Sequence, residues 1–145
     1  MFVVLVCGGR YFGRVPSTCP PAQINARIVR ASEEQQQLQA GLREIHSKSK
    51  IDLLLHFNRR GAERLAAHWA KISTIPVKDL TSGNRNAPAV QGLDACSALL
   101  SAERTNLVLQ YPNDNDETEE FAAAAESLGI EVRHINPAVL ASTAR

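Results

Sequence analysis

The chain has 145 residues, enough for one domain whose core folds on its own, and its 44% hydrophobic and 21% charged residues are typical of a globular protein. Its formal net charge of +1 gives no overall attraction to nucleic acid or to a membrane surface. Its three cysteines lack regular spacing, which argues against a disulfide framework or a zinc site and favours a reducing, cytoplasmic setting.

Strand-like and helix-like segments alternate along the chain. The first is an apolar, valine-rich run that is too short for a signal peptide or a transmembrane span. The pattern predicts five strands, at 2–7, 51–57, 75–80, 106–112 and 130–135. It predicts four helices, at 22–47, 62–72, 93–103 and 121–129, and a short helix or frayed tail at 136–145.

This alternation predicts an α/β fold. We expect a Rossmann-like three-layer sandwich, with a mostly parallel sheet of about five strands and helices on both faces. The first helix has a partial apolar stripe, while its segment EEQQQLQ at 33–39 is polar and predicted to be exposed. The stripe comprises Ile24, Ile28, Leu38, Leu42 and Ile45. No repeat or second domain is visible, so 1–145 is interpreted as one domain.

The loop CGGR at 7–10 follows the first predicted strand. Ligands of open α/β sheets bind beyond the carboxyl ends of the strands, where this loop is expected to lie. Gly8 and Gly9 allow a positive φ and close approach of the backbone to a ligand, and free N–H groups at such a turn hold anions. Arg10 could pair with a phosphate or carboxylate. The alternative is a tight strand exit followed by a surface arginine.

Two further loops lie at the same predicted edge. In HFNRRGAER, 56–64, Arg59 and Arg60 precede a helix N-terminus that favours anions, although a solvated basic loop is the alternative. The loop YPNDNDETEE, 111–120, has no glycine, and its carboxylates would repel a phosphate. Helix capping explains part of this acidity. The carboxylates lack the spacing of an EF-hand, so we predict no metal site.

These segments together resemble the YspA/cpYpsA-related branch of the SLOG superfamily, small Rossmann-like proteins distantly similar to the LOG phosphoribohydrolases and to the DNA-processing protein DprA. The resemblance covers about 3–135. The pattern Cys-Gly-Gly-Arg is matched at 7–10, and His-Gly-Gly-x-Arg-Gly-Ala-Asp is matched in part at 56–63, with Glu63 replacing the aspartate. The helical pattern Ala-x-x-Trp-Ala is matched by Ala66, Trp69 and Ala70.

The second half departs from the family pattern. Phe57 and Asn58 replace the two glycines after the histidine. The family's Arg-Asn pair falls near Asp94 and Ala95 and is lost there; the alternative is a displaced pair in NRN at 84–86. An acidic segment replaces the loop Pro-Gly-Gly-x-Gly-Thr, which is proposed to bind the nucleotide phosphate in the family.

The resemblance implies a set of site residues. The carboxylates expected near a reacting ribose are Glu63 and Glu117. Ligand contacts are expected from Cys7, Gly8, Gly9, Arg10, His56, Arg60, Gly61, Pro112, Asn113 and Thr118. The alternatives are structural: Cys7 as a packed small side chain, His56 as a satisfied histidine, and Glu63 as an acid of a helical first turn.

Three functions remain open from the sequence. The first is binding of a nucleotide or nucleotide-derived ligand by a sensor or binding module, without a cofactor. The second is cleavage of an N-glycosidic bond in a nucleotide, as in the LOG relatives. The third is a degenerate relative that acts through protein contacts, with 15–39 facing a partner. Independently of these functions, the chain is expected to form a homo-oligomer, a dimer. The near-neutral charge argues against nucleic acid, and nothing predicts a membrane partner.

Overall fold

The computed structural model describes residues 1–81, 92–112 and 117–135, with the side chains at 117 and 118 excepted. Its five strands form one parallel sheet in the order β3-β2-β1-β4-β5. The strands are β1 Val3–Gly8, β2 Leu53–His56, β3 Val77–Asp79, β4 Leu107–Tyr111 and β5 Glu131–His134. The helices are α1 Ile24–Lys48, α2 Ala62–Ile72, α3 Leu93–Ala102 and α4 Glu117–Ser127, and a 3-10 turn, Pro21–Gln23, precedes α1. The predicted Rossmann-like α/β architecture is therefore confirmed.

Two apolar layers cover the sheet because successive strand residues point to opposite faces. Val4 and Val6 of β1 pack with α1 and α2, around Leu38, Leu42 and Trp69. Val3 and Leu5 of the same strand pack with α3 and α4, around Cys96, Leu100 and Phe121. Every residue of β1 is buried, as its valine-rich sequence predicts for the central strand of a parallel sheet.

The first strand is shifted by one residue from its predicted bounds, the other four predicted strands are longer than the observed ones, and one helix begins earlier than expected. α4 starts at Glu117, whereas the sequence predicted an acidic loop up to 120 and a helix from 121. Acids in a first turn lie near the positive end of the helix dipole, which favours this earlier start. The predicted loop at 82–91 and the predicted tail at 136–145 lie outside the described residues.

The predicted apolar stripe of α1 is wrong in its first turns. Ile24 and Ile28 are 37% and 51% exposed, and the buried stripe begins only at Ala31. It continues through Glu34, Leu38, Leu42 and Ile45. The prediction that 33–39 is exposed is also wrong for Glu34 and Leu38, which are buried. Glu34 can face inward because its carboxylate accepts a hydrogen bond from the Gly13 N–H.

Strand order places a crevice at one edge of the sheet. From β1 the chain moves outward through β2 and β3, and it then returns to the other side of β1 for β4 and β5. The carboxyl ends of β1 and β4 therefore flank the point at which the winding direction changes. Open α/β sheets bind their ligands at such a switch point.

A contact between two backbones joins the loop after β1 to the start of α2. Gly61 has a φ of +95°, and a Cβ on it would overlap the Gly9 carbonyl oxygen and lie 2.6 Å from that of Arg10. The Ala62 N–H donates to the Gly9 oxygen over 3.0 Å. A Cβ on Gly9 would lie 2.6 Å from the Cβ of Ala62 and 2.8 Å from that of Tyr111. Neither glycine has room for a side chain.

We expect Gly61→Ala to lower the free energy of unfolding by at least about 3 kcal/mol. Left-handed backbone strain costs about 1–3 kcal/mol, and the overlap with Gly9 adds to it. Gly41→Ala is the matched control, because Gly41 lies inside α1 with open space around its Cβ position. That change should stabilise the protein by about 0.5–1 kcal/mol. Urea unfolding measures both effects, and equal stability of Gly61→Ala and the wild type would contradict the backbone contact.

Candidate functional site

The carboxyl edge of the sheet brings several predicted site residues together. Gly8 ends β1, His56 ends β2, and Pro112 follows the last residue of β4. Arg60 and Gly61 precede α2, whose start packs on the loop after β1. Asn113 lies outside the described residues. Glu117 and Thr118 are in the first turn of α4, and their side chains also lie outside the described part of the chain.

Positive φ angles at the end of β1 agree with the sequence interpretation of its glycines. Gly8 and Gly9 have φ angles of +83° and +69°. The Gly9 carbonyl accepts hydrogen bonds from Phe12 N–H at 2.9 Å and from Ala62 N–H. Within the described residues, the backbone N–H groups of Arg10 and Tyr11 donate to no acceptor. Two successive donors after a pair of left-handed glycines give this turn the character of an anion-binding site.

Two arginines lie exposed on either side of the backbone contact. Arg10 follows the glycines, and its guanidinium lies 5.7 Å from the centre of the Tyr11 ring. Arg60 immediately precedes Gly61, which packs against the Arg10 carbonyl. The neighbouring Arg59 guanidinium lies 5.4 Å from the centre of the Phe57 ring. Positive charge from two separate loops is thereby brought to one edge.

Glu63 lies in the first turn of α2 and is fully buried. Its Oε1 accepts a hydrogen bond from the Phe57 N–H at 2.7 Å, so it ties the helix to the loop after β2. Its Oε2 accepts no hydrogen bond from the described residues. Burial raises the Glu63 pKa from its ordinary value of 4.5 to about 7, although the Phe57 N–H, the Arg59 guanidinium and the backbone N–H groups of Arg59 and Gly8 oppose this rise. The geometry matches the structural alternative, an acid that holds a loop.

His56 is also buried and serves the same loop. Its Nδ1 accepts a hydrogen bond from the Asn58 N–H at 2.9 Å, which leaves the ring proton on Nε2. Burial lowers the His56 pKa, nearby Asp79 opposes the shift, and Lys71 adds to it. Asn58 has a φ of +56°, a left-handed conformation that asparagine tolerates better than most residues. His56 thus fixes a tight turn as a neutral acceptor.

Cys7 packs in the core rather than facing the edge. Its side chain is 1% exposed, and its Sγ lies 3.7 Å from the Leu109 carbonyl oxygen. Burial, aided by the nearby Glu63 charge, raises the pKa of the thiol. A thiol that stays protonated is a poor nucleophile. This placement agrees with the alternative of a packed small side chain.

Glu34 and Arg27 are site residues that the sequence analysis missed. Glu34 accepts hydrogen bonds at Oε1 from Gly13 N–H at 3.0 Å and from Arg27 Nη1 at 2.8 Å. Arg27 Nη2 also donates to the Tyr11 carbonyl oxygen at 2.6 Å. Two side chains of α1 therefore hold the loop that contains Arg10. The available signal was the position of Glu34 on the helical stripe of Ala31, Leu38, Leu42 and Ile45.

Two classes of feature are not found in the part of the chain that the structure describes. No group of three or more His, Cys, Asp or Glu side chains there could hold a metal ion. No helix there combines the length and apolar character needed to cross a membrane.

The chain gives no significant match to any family model, curated protein or solved structure. The candidate site is defined by its own geometry: a glycine turn whose Arg10 and Tyr11 N–H groups have no acceptor among the described residues, two exposed arginines, and buried polar groups that hold the surrounding loops.

Glu63 should make stability depend on pH. Its folded pKa is raised, so its stabilising contribution is full below pH 4.5 and is lost as pH rises through about 7. The loss amounts to roughly 3 kcal/mol at 1.36 kcal/mol per pKa unit. Glu63→Gln should abolish it, because an amide oxygen still accepts the Phe57 N–H but carries no charge.

Denaturant unfolding of both proteins at pH 5 to 8 is the measurement. The buried His56, whose pKa is lowered, should leave Glu63→Gln with a slope of opposite sign, since the unfolded chain takes up the proton first as pH falls. Glu63→Ala should be destabilised across this range, because it loses the hydrogen bond and leaves a cavity. An identical pH slope in the wild type and in Glu63→Gln would contradict the assignment.

Proposed function

We propose that this protein binds a nucleotide or nucleotide-derived ligand at the carboxyl edge of its sheet, as a sensor or binding module of the SLOG type. The phosphate would meet the turn after β1, with Arg10 on one side and Arg60 on the other. The base and ribose would extend along the switch point between β1 and β4. The ligand requires no metal or cofactor from the protein in this proposal.

The contact of Gly61 with the Gly9–Arg10 backbone is the observation that carries the proposal. It brings two exposed arginines from different loops to one edge, beside the N–H groups of Arg10 and Tyr11. Guanidinium groups and backbone donors together provide charge and directed hydrogen bonds for a phosphate. The same edge is where the strand order of an open parallel sheet opens a crevice.

Two details of the structure concern positions at which the chain departs from the family pattern that it resembles. Asn58 replaces a glycine of that pattern, and its φ of +56° retains the left-handed backbone that a glycine would favour. Glu120, one of the acids that were expected to repel a phosphate, accepts a hydrogen bond from the Gly92 N–H at the start of α3 over 2.8 Å. This hydrogen bond ties α4 to the start of α3.

Burial of Glu63 favours binding over N-glycosidic cleavage as the proposed activity. A carboxylate that acts at a ribose must reach the substrate, and Glu63 is 0% exposed and bonded to the Phe57 N–H. Glu117, the other carboxylate named for this chemistry, has a side chain outside the described part of the chain. No contact among the described residues therefore specifically supports N-glycosidic cleavage.

A thermal-shift screen with nucleoside mono- and diphosphates, cyclic nucleotides and ADP-ribose tests the proposal. A ligand present at 100 times its dissociation constant adds about 2.7 kcal/mol of stability, which is a rise of several degrees in Tm. Arg10→Ala and Arg60→Ala should each reduce or abolish the shift, because each removes a charged donor from the phosphate.

Arg43→Ala is the matched control. Arg43 is an exposed arginine in the C-terminal half of α1, and α1 runs from the carboxyl edge toward the opposite edge of the sheet. Its loss should leave the shift unchanged. No shift with any compound, or a shift that survives in both Arg10→Ala and Arg60→Ala, would overturn the proposal.

A further inference from the structure

Arginine is concentrated in two segments of the chain. Residues 1–32 contain Arg10, Arg14, Arg27 and Arg30 and no acidic residue. Residues 58–64 contain Arg59, Arg60 and Arg64, with the buried Glu63 as the one acid. Neither segment contains a lysine. The net charge of +1 is therefore an average over a strongly uneven distribution.

Tyr11 lies at the centre of the first arginine group. The guanidiniums of Arg10 and Arg14 lie 5.7 Å and 5.9 Å from the centre of its ring, within the range of a cation–π contact. Arg14 also donates to the Arg10 carbonyl at 2.9 Å, and Arg27 donates to the Tyr11 carbonyl. These contacts order the guanidinium groups before any ligand arrives, which reduces the entropy lost on binding.

The second arginine group adjoins the first through the backbone contact described above. The position of a Cβ on Gly61 lies 2.6 Å from the Arg10 carbonyl oxygen, so Arg60 is next to the Arg10 segment. Arg60 and Arg64 are both exposed, and the Arg64 Nε donates to the Asn58 carbonyl at 3.3 Å. The tertiary structure thereby makes one basic surface out of two separate stretches of sequence.

Acidic side chains within this region are buried. Glu34 has a side chain that is 7% exposed and is paired with Arg27 at 2.8 Å and with Arg30 at 3.9 Å, while the Arg30 side chain is 64% exposed. Glu63 is fully buried. The exposed Glu33 lies beyond Arg30 on α1. The charge presented to solvent between Arg10 and Arg30 is consequently positive.

Exposed apolar side chains accompany the arginines on the same segments. Ile28 and Val29 are 51% and 59% exposed and lie between Arg27 and Arg30 in the sequence of α1. Val15, 38% exposed, follows Arg14. In α1, the first seven residues have no buried side chain, and Arg27 among them is held by the Tyr11 carbonyl and Glu34, so Ile28 and Val29 are exposed beside an anchored arginine.

We propose that this basic surface binds single-stranded nucleic acid. Its arginines would contact the phosphates, and its apolar and aromatic side chains would pack against unpaired bases. A duplex hides its bases in the stack, so it would leave Val15, Ile28 and Val29 without partners. Guanidiniums match phosphate geometry and stack on bases, whereas the ammonium of lysine acts as a point charge, so the arginine-only composition favours nucleic acid over an anionic lipid surface.

Fluorescence anisotropy with a labelled oligothymidylate longer than ~16 nucleotides tests this surface. Log K should fall linearly with log salt concentration, with a slope of about −0.7 for each phosphate contacted. The double variant Arg14→Ala/Arg30→Ala should reduce this slope by roughly 1.4 and weaken binding at every salt concentration. Arg43→Ala/Lys50→Ala removes the same charge from exposed positions outside the surface and should change neither quantity by more than a small screening effect.

The same measurements separate this proposal from the nucleotide site. Ile28 and Val29 are exposed and take no part in the proposed nucleotide contacts, so Ile28→Ser/Val29→Ser should weaken oligothymidylate binding and keep the nucleotide thermal shift of the wild type. A rise in Tm with a nucleotide, without any binding of oligothymidylate, would overturn the proposal of the basic surface. It would leave the proposed nucleotide site in place. Equal affinity for duplex DNA, or tighter binding to phosphatidylserine vesicles that Arg14→Ala/Arg30→Ala abolishes, would also overturn it.

Discussion

Two backbones meet without an intervening side chain where the loop after β1 packs on the start of α2. Gly61 has no space for a Cβ because the Gly9 and Arg10 carbonyls occupy it, and Gly9 is enclosed in turn by Ala62 and Tyr111. This contact joins β1, α2 and β4 at the edge where the sheet changes its winding direction. The positions of Arg10 and Arg60 follow from it, and both proposed binding surfaces depend on those positions.

Buried polar groups around this contact stabilise the fold rather than facing solvent. Glu63 holds the loop after β2 through the Phe57 N–H, and the neutral His56 holds the following turn through the Asn58 N–H. Glu34 does the same for the loop after β1 through the Gly13 N–H. A buried carboxyl is tolerable only where hydrogen bonds or a counter-charge offset its desolvation. Glu34 has Arg27 as a partner, whereas Glu63 is fully buried, is hydrogen-bonded to the Phe57 N–H and has a raised pKa.

At the same edge, the starts of α3 and α4 carry the exposed acids Asp94 and Glu119, whereas the exposed charge in the segments 10–30 and 58–64 is guanidinium. The acids of these segments are used internally, and the arginines remain at the surface, ordered in part by Tyr11 and by carbonyl groups. These contacts keep the arginines of the two segments at the surface, while Glu34 and Glu63 are buried. A net charge of +1 for the whole chain therefore conceals a basic region. The sequence-based argument against nucleic acid used that total, which averages charges that the fold separates.

The sequence by itself determined the α/β class and the approximate number of strands, because hydrophobic runs and helical periodicity are local properties, whereas the central place of β1 is a result of the strand order. It also indicated the glycines with positive φ and the arginines beside them. Only the tertiary structure decided that Glu63, His56 and Cys7 are buried, that Glu34 is an inward acid, and that Ile24 and Ile28 are exposed. Those outcomes depend on partners distant in sequence, such as Gly13 for Glu34 and the Gly9–Arg10 backbone for Gly61. Local pattern does not encode such partners, because long-range packing decides which face of an element meets another.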